Sequence, residues 1–308
     1  MGGSGGGYFS GDAKPKELQQ QVRQTEASSR DEKFEADVAA EINNLLSATK
    51  RDAGAVQTHL NEITDALGRD IEGSVETLFG GSVAKHTYVD GLSDVDALVI
   101  LNKTELKDAS PADVLNYFAN RLRERFPNTT ITSGHLAVTV AFGDVELQLL
   151  PALKSSQGVR IPKEDGGDWS PIIRPDRFAD KLTEINRKCG GKVIPTIKLA
   201  KSILSHLPEK QQMTGYHVES LAVDVFRSYN GEQTTKAMLR HFFQSIPDRV
   251  KEPIKDSTRQ SLHVDDYMGP KGSVERRVVA DAVGRISRGI QNADGAKSVD
   301  QWKKILGE

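Results

Sequence analysis

The sequence predicts an α+β fold in which a mixed β-sheet, preceded by helices, is joined to a helical lobe at the C-terminal side. Three observations predict it. Apolar residues recur twice at helical spacing before the first extended segment. Between Val75 and Leu150 they form short alternating runs broken by glycine, serine and aspartate turns. After Pro151 the chain passes through a Gly/Pro-containing loop, around Ser156 to Pro175, into segments dominated by helical periodicity.

Each element has its own signal. Phe34, Val38, Ile42 and Leu45 lie on one face of a first helix, and Val56, Leu60, Ile63, Leu67 and Ile71 on one face of a second. Val75 to Phe79 reads as a strand entering a glycine turn, and Val95 to Leu101 as its partner. Ser110, Pro111 and Asp113 spell a helix start, with a hydroxyl cap and proline at the first position. Val114, Leu115, Phe118 and Leu122 supply that helix's buried face. Thr130 to Ser133 and His135 to Phe142 turn at Gly143 and Asp144 into Val145 to Leu150, a hairpin that extends the sheet. Helices are expected over Arg177–Lys188, Val193–Leu207, Tyr216–Arg227, Thr234–Gln244 and Ser273–Gln291. The expected organisation is a flexible segment over residues 1–30, a core over 31–170 and a helical lobe over 171–308 that closes a cleft against the core.

The chemistry concentrates between Phe79 and Ile100, FGGSVAKHTYVDGLSDVDALVI. The strand period of two sends Val95, Ala97 and Val99 to one face and Asp94, Asp96 and Leu98 to the other, with the two carboxylates about 7 Å apart. Mg²⁺ takes hard oxygen ligands, commonly one or two carboxylates plus substrate phosphates, and Mn²⁺ suits the same donors. Two such ions about 3.5–4 Å apart steady the attacking and leaving oxygens of an in-line displacement. Upstream, Gly80 and Gly81 have no Cβ, so a triphosphate can approach their backbone, with the Ser82 hydroxyl as a further donor. Alone, either motif is also explained by turn capping; their coupling across Val83 to Ser93 favours the metal-and-phosphate reading.

This segment resembles the nucleotidyltransferases of the DNA-polymerase-β superfamily, especially the branch of cyclic GMP-AMP synthase, oligoadenylate synthase and the bacterial CD-NTases. These share a Gly-Ser turn, a spacer of similar length, a D/E-x-D strand and a third acid on a later strand, and the resemblance extends from about Phe34 to about Ile290. It implies a polymerase-β-like core. The third acid departs from the family pattern. In the family it stands three residues before a Pro-Ala pair, a register that lands here on Gln148, which is neutral and cannot act as a base. Glu146 shares the Gln148 face one pleat away and is the preferred candidate, ahead of Asp144 and of a two-carboxylate or inactive site. Apolar neighbours on both faces lead to the expectation that Glu146 is covered and has a partner.

In the second lobe, Lys201 interrupts an apolar stripe formed by Ile194, Ile197 and Leu204, so it either snorkels to water or meets an anion. By the resemblance it matches a lysine that contacts the triphosphate, and Tyr216 matches a tyrosine that stacks on the nucleobase. Packing at a helix start is the bland alternative for Tyr216. Lys198 reads as a solvated lysine. His217 and Glu219, two apart on a helix, do not face each other and receive no catalytic role. Asp265 and Asp266, ahead of Gly269, are assigned to turn chemistry.

Composition sets the remaining limits. With 41 basic and 43 acidic residues the formal charge is −2, which provides no bulk attraction to nucleic acid. The single cysteine, Cys189, excludes an intramolecular disulfide and reads as structural. No apolar run is long enough to span a bilayer, and MGGSGGGYFSGDAKPKE lacks a signal-peptide core, so a cytoplasmic protein is expected. The resemblance implies an enzyme that joins ATP or other nucleoside triphosphates into a cyclic di- or oligonucleotide messenger, in bacterial anti-phage signalling, with a regulatory protein partner. Asp94, Asp96 and Glu146 would hold Mg²⁺ or Mn²⁺, and Gly81, Ser82, Lys201 and Tyr216 would bind nucleotide. Two rival readings stay open: a transferase that places a nucleotide on a small molecule, protein or RNA end, and a nucleotide sensor whose chemistry has lapsed.

Overall fold

A computed structural model of the chain describes residues 15–48, 53–69, 75–79, 81–87, 89, 95–143, 145–163, 166–256 and 263–308. Helices α1 (Pro15–Ala48) and α2 (Ala53–Gly68) come first, as their apolar spacing predicts. The flexible segment expected over residues 1–30 is instead helical from Pro15 onward. Residues 22–30 are exposed, so that stretch continues a helix whose packing begins at Phe34, Val38 and Ile42.

Six strands form one mixed sheet: β1 (Glu76–Phe79), β2 (Val95–Ile100), β3 (Thr130–Ser133), β4 (Val138–Phe142), β5 (Val145–Ser155) and β6 (Gly158–Arg160). The order is β1-β2-β5-β4-β3, with β6 on the far end of β5. β2 and β5 are parallel, and the other pairs are antiparallel. A parallel neighbour needs a crossover, which is provided by helix α4 (Pro111–Arg125) together with the β3–β4 pair. Helix α4 starts where the sequence says: Ser110 accepts a hydrogen bond from the Asp113 N–H at 3.2 Å, and Pro111 follows the cap. Its buried face and that of α2 cover Ala97, Val99, Leu147 and Leu149. The opposite face carries Asp96, then Leu98 and Ile100, and a smaller apolar cluster with Ala152, Val159 and Ile173 closes its far end. Strand β5 runs through Pro151, where a strand end is expected from sequence. Ala152 turns its carbonyl toward β2, so position 151 faces the β4 side, and β4 pairing has already stopped at Leu149.

The helical core gathers α5 (Pro175–Lys188), α6 (Val193–Ser205), α7 (Gly215–Phe226), α8 (Thr235–Arg249), α9 (Val274–Gly295) and α10 (Val299–Leu306). Phe34, Val38 and Ile42 join the same cluster, so α1 packs with helices that follow it by well over a hundred residues. Cys189 caps α5 and is buried, which pushes its thiol up, as suits a structural residue. Helix α8 passes Gln244 because Pro247 falls in its last turn and costs one backbone bond rather than a break. Helix α10 is absent from the expected set although its signals are present: Ser298 accepts from the Gln301 N–H, Gly307 ends it at φ +99, and Trp302 is fully buried.

A buried ionic cluster ties the connection before α9 to α7. Asp265 accepts from Arg276 Nη1 at 2.7 Å and from the Ile254 N–H at 3.0 Å, so it is an ion-pair partner, while Asp266 takes the turn role. His217 Nδ1 lies 2.9 Å from the Tyr267 hydroxyl, and its Nε2, 3.6 Å from Asp265, has no hydrogen-bond partner. Burial lowers the imidazole to about 4 against the pull of Asp265. The unfolded chain, with its histidine near 6.5, therefore binds more protons between those values, and stability rises with pH across that window.

Two outcomes follow from this core. Trp302→Ala removes a fully buried indole and leaves Asp294 without the Nε1–H donor at 3.0 Å, so urea denaturation should show a loss of about 3–5 kcal/mol. Lowering pH from 6.5 to 4 should cost the wild type up to about 3 kcal/mol more than His217→Asn, read as the difference between their denaturation midpoints. Parallel pH profiles for the two proteins would contradict the buried neutral imidazole.

Candidate functional site

The site begins where β1 ends. Gly81 opens a one-turn helix, α3 (Gly81–Ala84), with φ +47, a backbone that favours glycine. Space imposes the same choice: a Cβ at Gly81 would stand 1.5 Å from Asp96 Oδ2. The Asp96 carboxylate thus lies directly on the glycine-turn backbone, and a side chain there would displace it. Asp94 and Gly80 lie outside the described residues, as does Asp144.

Register places the third-acid candidates. Asp96 pairs with Gln148 across the parallel β2–β5 ladder, and Gln148 faces Thr139 on its other side. Gln148 therefore occupies the strand position beside the Asp96 carboxylate. Glu146 lies two residues earlier on the same face, opposite Ala141 of β4. It is exposed, which corrects the expectation of a covered glutamate: the apolar cluster on this face begins at Leu150, beyond the end where Glu146 stands. The donors on this face, the carboxylates of Asp96 and Glu146 and the amide oxygen of Gln148, are hard oxygens, a set that fits Mg²⁺. Among the described residues, which do not include Asp94, no group of three His, Cys, Asp or Glu side chains gathers to hold a metal.

The helical side meets this turn through a carboxylate. Glu219 on α7 is 1% exposed and accepts from Lys201 Nζ at 2.8 Å, from Thr87 Oγ1 at 2.5 Å and from Lys85 Nζ. Lys201 also donates to the Thr87 carbonyl at 3.1 Å, and the Thr87 N–H returns to the Ser82 carbonyl at 2.9 Å. The anion that Lys201 meets in the described structure is thus Glu219. Burial pulls the Glu219 carboxyl upward, but Lys201 and Lys85 outweigh it and hold it low, so it stays ionised. Burial lowers Lys201, opposed by Glu219, and the charge of Asp96 is close enough to be felt there.

Tyr216, half-buried, donates its hydroxyl to Asp256 at 2.8 Å and sets its ring edge-on to Phe178, centroids 5.0 Å apart. Lys85 Nζ lies 5.2 Å from the centre of the Tyr216 ring and 5.3 Å from that of Phe178. The structure therefore brings Gly81 to Asp96, and Lys201 and Tyr216 to the segment that follows Ser82. Lys85, Thr87 and Glu219 are the members that sequence reasoning missed. One signal was available: Glu219 is the one acid in the run YHVESLAV, where a helix buried on both sides requires it to find a cation.

Comparison with known proteins places the chain in a family. The family model for the Second Messenger Oligonucleotide or Dinucleotide Synthetase domain, SMODS, matches residues 33–186, half of the 308-residue chain. No curated protein matches. Among solved structures, CdnC of E. coli MS115-1 with ATP is 17% identical, with a TM-score of 0.58 over 87% of this chain and 92% of that one. The CdnC:HORMA-deltaN complex from the same organism gives 16% identity and a TM-score of 0.61 over 90% and 96%. The Vibrio cholerae cyclic AMP-GMP synthase DncV, bound to the linear intermediate pppA(3′,5′)pG, gives 10% identity and 0.63 over 94% and 88%. The structures share the fold, with its polymerase-β-like core, and the family model covers the sheet together with the glycine turn. The chain belongs to the SMODS, or CD-NTase, family of nucleotidyltransferases, which make cyclic di- and oligonucleotide second messengers from nucleoside triphosphates.

Proposed function

We propose that the chain carries out its transfer at the end of β2, with Asp94, Asp96 and Glu146 as the acidic groups and Gly81, Ser82, Lys201 and Tyr216 as the nucleotide contacts. The observation that supports this most is the seating of the Asp96 carboxylate on Gly81, where a phosphate cradle and an acidic oxygen share one backbone turn. In this reading Asp94, Asp96 and Glu146 hold Mg²⁺ or Mn²⁺, which when bound supplies a Lewis acid that neutralises phosphate charge and makes a ribose hydroxyl more acidic. The protein's own groups position the reactants. The Gly81 backbone and the Ser82 hydroxyl orient the outer phosphates, and Lys201 offsets their charge. Tyr216, held by Asp256 and Phe178, offers a ring against the base. The hydroxyl gives up its proton to solvent as its oxygen bonds to the α-phosphorus, the bond from that phosphorus to the β-phosphate bridging oxygen breaks, and pyrophosphate leaves. A second such step closes the ring. Most of the acceleration would come from positioning and fixed charge.

The wider reading places the product in bacterial anti-phage signalling in the cytoplasm, under a regulatory protein partner, supported by the complex in which the neighbour CdnC is found with HORMA-deltaN. Among the described residues no helix is long and apolar enough to cross a membrane. One observation favours a second reading, a nucleotide sensor without turnover: the neighbour of Asp96 on β5 is Gln148 rather than an acid.

Labelled ATP and GTP, alone and mixed, separated by thin-layer chromatography after incubation with Mg²⁺ or Mn²⁺, should show a cyclic product resistant to phosphatase. Asp96→Asn should lower its rate by about 10²–10³-fold or more, and Glu146→Gln by about 10²-fold, while Gln148→Ala costs less than tenfold. Equal loss in Glu146→Gln and Gln148→Ala would move the third site to position 148; nucleotide binding with no product from the wild type would favour the sensor. Gly81→Ala should abolish product formation, since its Cβ and the Asp96 carboxylate compete for one volume.

A further inference from the structure

Glu219 joins three separate stretches of chain. Its two oxygens take Lys201 from α6, Thr87 and Lys85 from the segment that follows the glycine turn, and its own stem belongs to α7. The side chains of Lys85 and Lys201 are 13% and 7% exposed, so both ammonium groups are largely removed from water. Among the described residues, two cations share this one carboxylate as their ion-pair partner, which leaves an excess of one positive charge in the hydrogen-bonded cluster. The other acidic group whose charge reaches Lys201 is Asp96.

A cluster of this kind is a poor device for stability. Withdrawing ions from water costs several kcal/mol each, and well-packed apolar replacements often match or exceed the stability of a buried ion pair. What a shared carboxylate does well is fix position. The Lys85 ammonium lies by Glu219 and over the Tyr216 and Phe178 rings, and Thr87, held to Ser82, is bonded to Glu219 and Lys201 together.

We propose that Glu219 is a positioning residue for nucleotidyl transfer: it holds Lys85 and Lys201 as a fixed pair of ammonium groups beside the glycine turn, so that a triphosphate meets preset positive charge. Lys85 thereby becomes a second triphosphate-facing cation, alongside Lys201. The inference rests on the function proposed above, because it presumes that the anion drawn to this cluster is the triphosphate.

The mechanism follows from charge. In the nucleotide-free protein the carboxylate keeps two like charges together and in place. An arriving triphosphate supplies the missing negative charge to a pair already ordered, so little side-chain freedom is lost on binding. Without the carboxylate, the ammonium groups repel each other and Lys201, buried, loses its counter-ion and gives up its proton at a lower pH. The groups that face Lys201 in that balance are Lys85, Glu219 and Asp96.

Glu219→Gln keeps the shape and one acceptor oxygen and removes the charge. It should lower kcat/KM for ATP by about 10–100-fold, with the alkaline limb of the pH–rate profile moved to lower pH. Lys85→Met leaves a balanced Lys201–Glu219 pair and a protein that melts as the wild type does, and should weaken a fluorescent ATP analogue by about tenfold, measured by titration without turnover. The triple variant with methionine at positions 85, 201 and 219 should melt no lower than the wild type yet bind the analogue poorly. Wild-type affinity in Lys85→Met, or a folded Glu219→Gln with unchanged kcat/KM and pH profile, would overturn the proposal. Should Glu219→Gln unfold, the Lys85→Met titration decides alone. A wild type that binds the analogue but forms no product would count against the proposed transfer reaction instead, and titrating Glu219→Gln beside Lys85→Met with the same analogue would still decide whether the lysine pair is set by Glu219.

Discussion

Everything in the proposed site depends on how closely one carboxylate can approach a backbone. Asp96 lies on the Gly81 turn with no room for a Cβ between them, and that contact requires a strand end and a left-handed glycine to meet at the edge of the sheet. The parallel pairing of β2 with β5 is what delivers the strand end. It puts Asp96 level with Gln148 and sets Glu146 one pleat away, so the acidic face is built from segments about fifty residues apart. The antiparallel β1–β2 pair, with Phe79 opposite Ala97, brings the end of β1 to the same edge, where Gly81 meets Asp96. Removing the glycine or shifting the ladder by one residue would separate a phosphate-facing turn from its carboxylate, since a one-residue slip turns every side chain of the strand to the other face.

Much of this was legible because it is local. Alternation in β2, the hydroxyl–proline start of α4 and the helical stripes of α1 and α2 are short-range patterns whose physics does not wait for tertiary structure. Gly-Gly-Ser likewise marks Gly81 as a position without a Cβ, whereas its left-handed backbone and its contact with Asp96 come from the fold. What was missed is nonlocal. Nothing within reach of Glu219 in sequence says that its partners lie at Lys85 and Thr87, more than 130 residues earlier. The continuation of β5 past Pro151 depends on β4 having ended, a fact about another strand. Glu146 read as covered because its neighbours are apolar, and the structure places the cover further along the strand. Helix α10 was a different kind of miss: its caps were local and readable, but its eight residues fall below the length at which periodicity stands out.

The two buried ionic clusters of the helical lobe obey the same electrostatics with different consequences. Around Asp265, one guanidinium and one carboxylate balance, backbone carbonyls of Gly269, Val250 and Asp265 itself accept further Arg276 hydrogen bonds, and the neighbouring imidazole is held neutral. That cluster is closed: its charges are matched and fully buried, and it serves to lock the turn before α9 against α7. Around Glu219 the count differs, with two cations to one carboxylate, and the lysines retain a small exposed area.

This difference in balance separates a structural ion pair from a prepared binding surface. A matched pair has no use for another ion, because any newcomer would have to displace a partner. An unmatched pair of ammonium groups, ordered by one glutamate and standing where Asp96 is electrically felt, lowers its own energy when further negative charge arrives. The glycine turn supplies the place and the Glu219 cluster the charge, and the two are covalently one segment, since Lys85 and Thr87 follow Ser82 within five residues. In the proposed function, phosphate recognition on the sheet side and charge on the helical side are therefore joined through a single short loop, tied to both by the Thr87 bonds to Ser82 and Glu219.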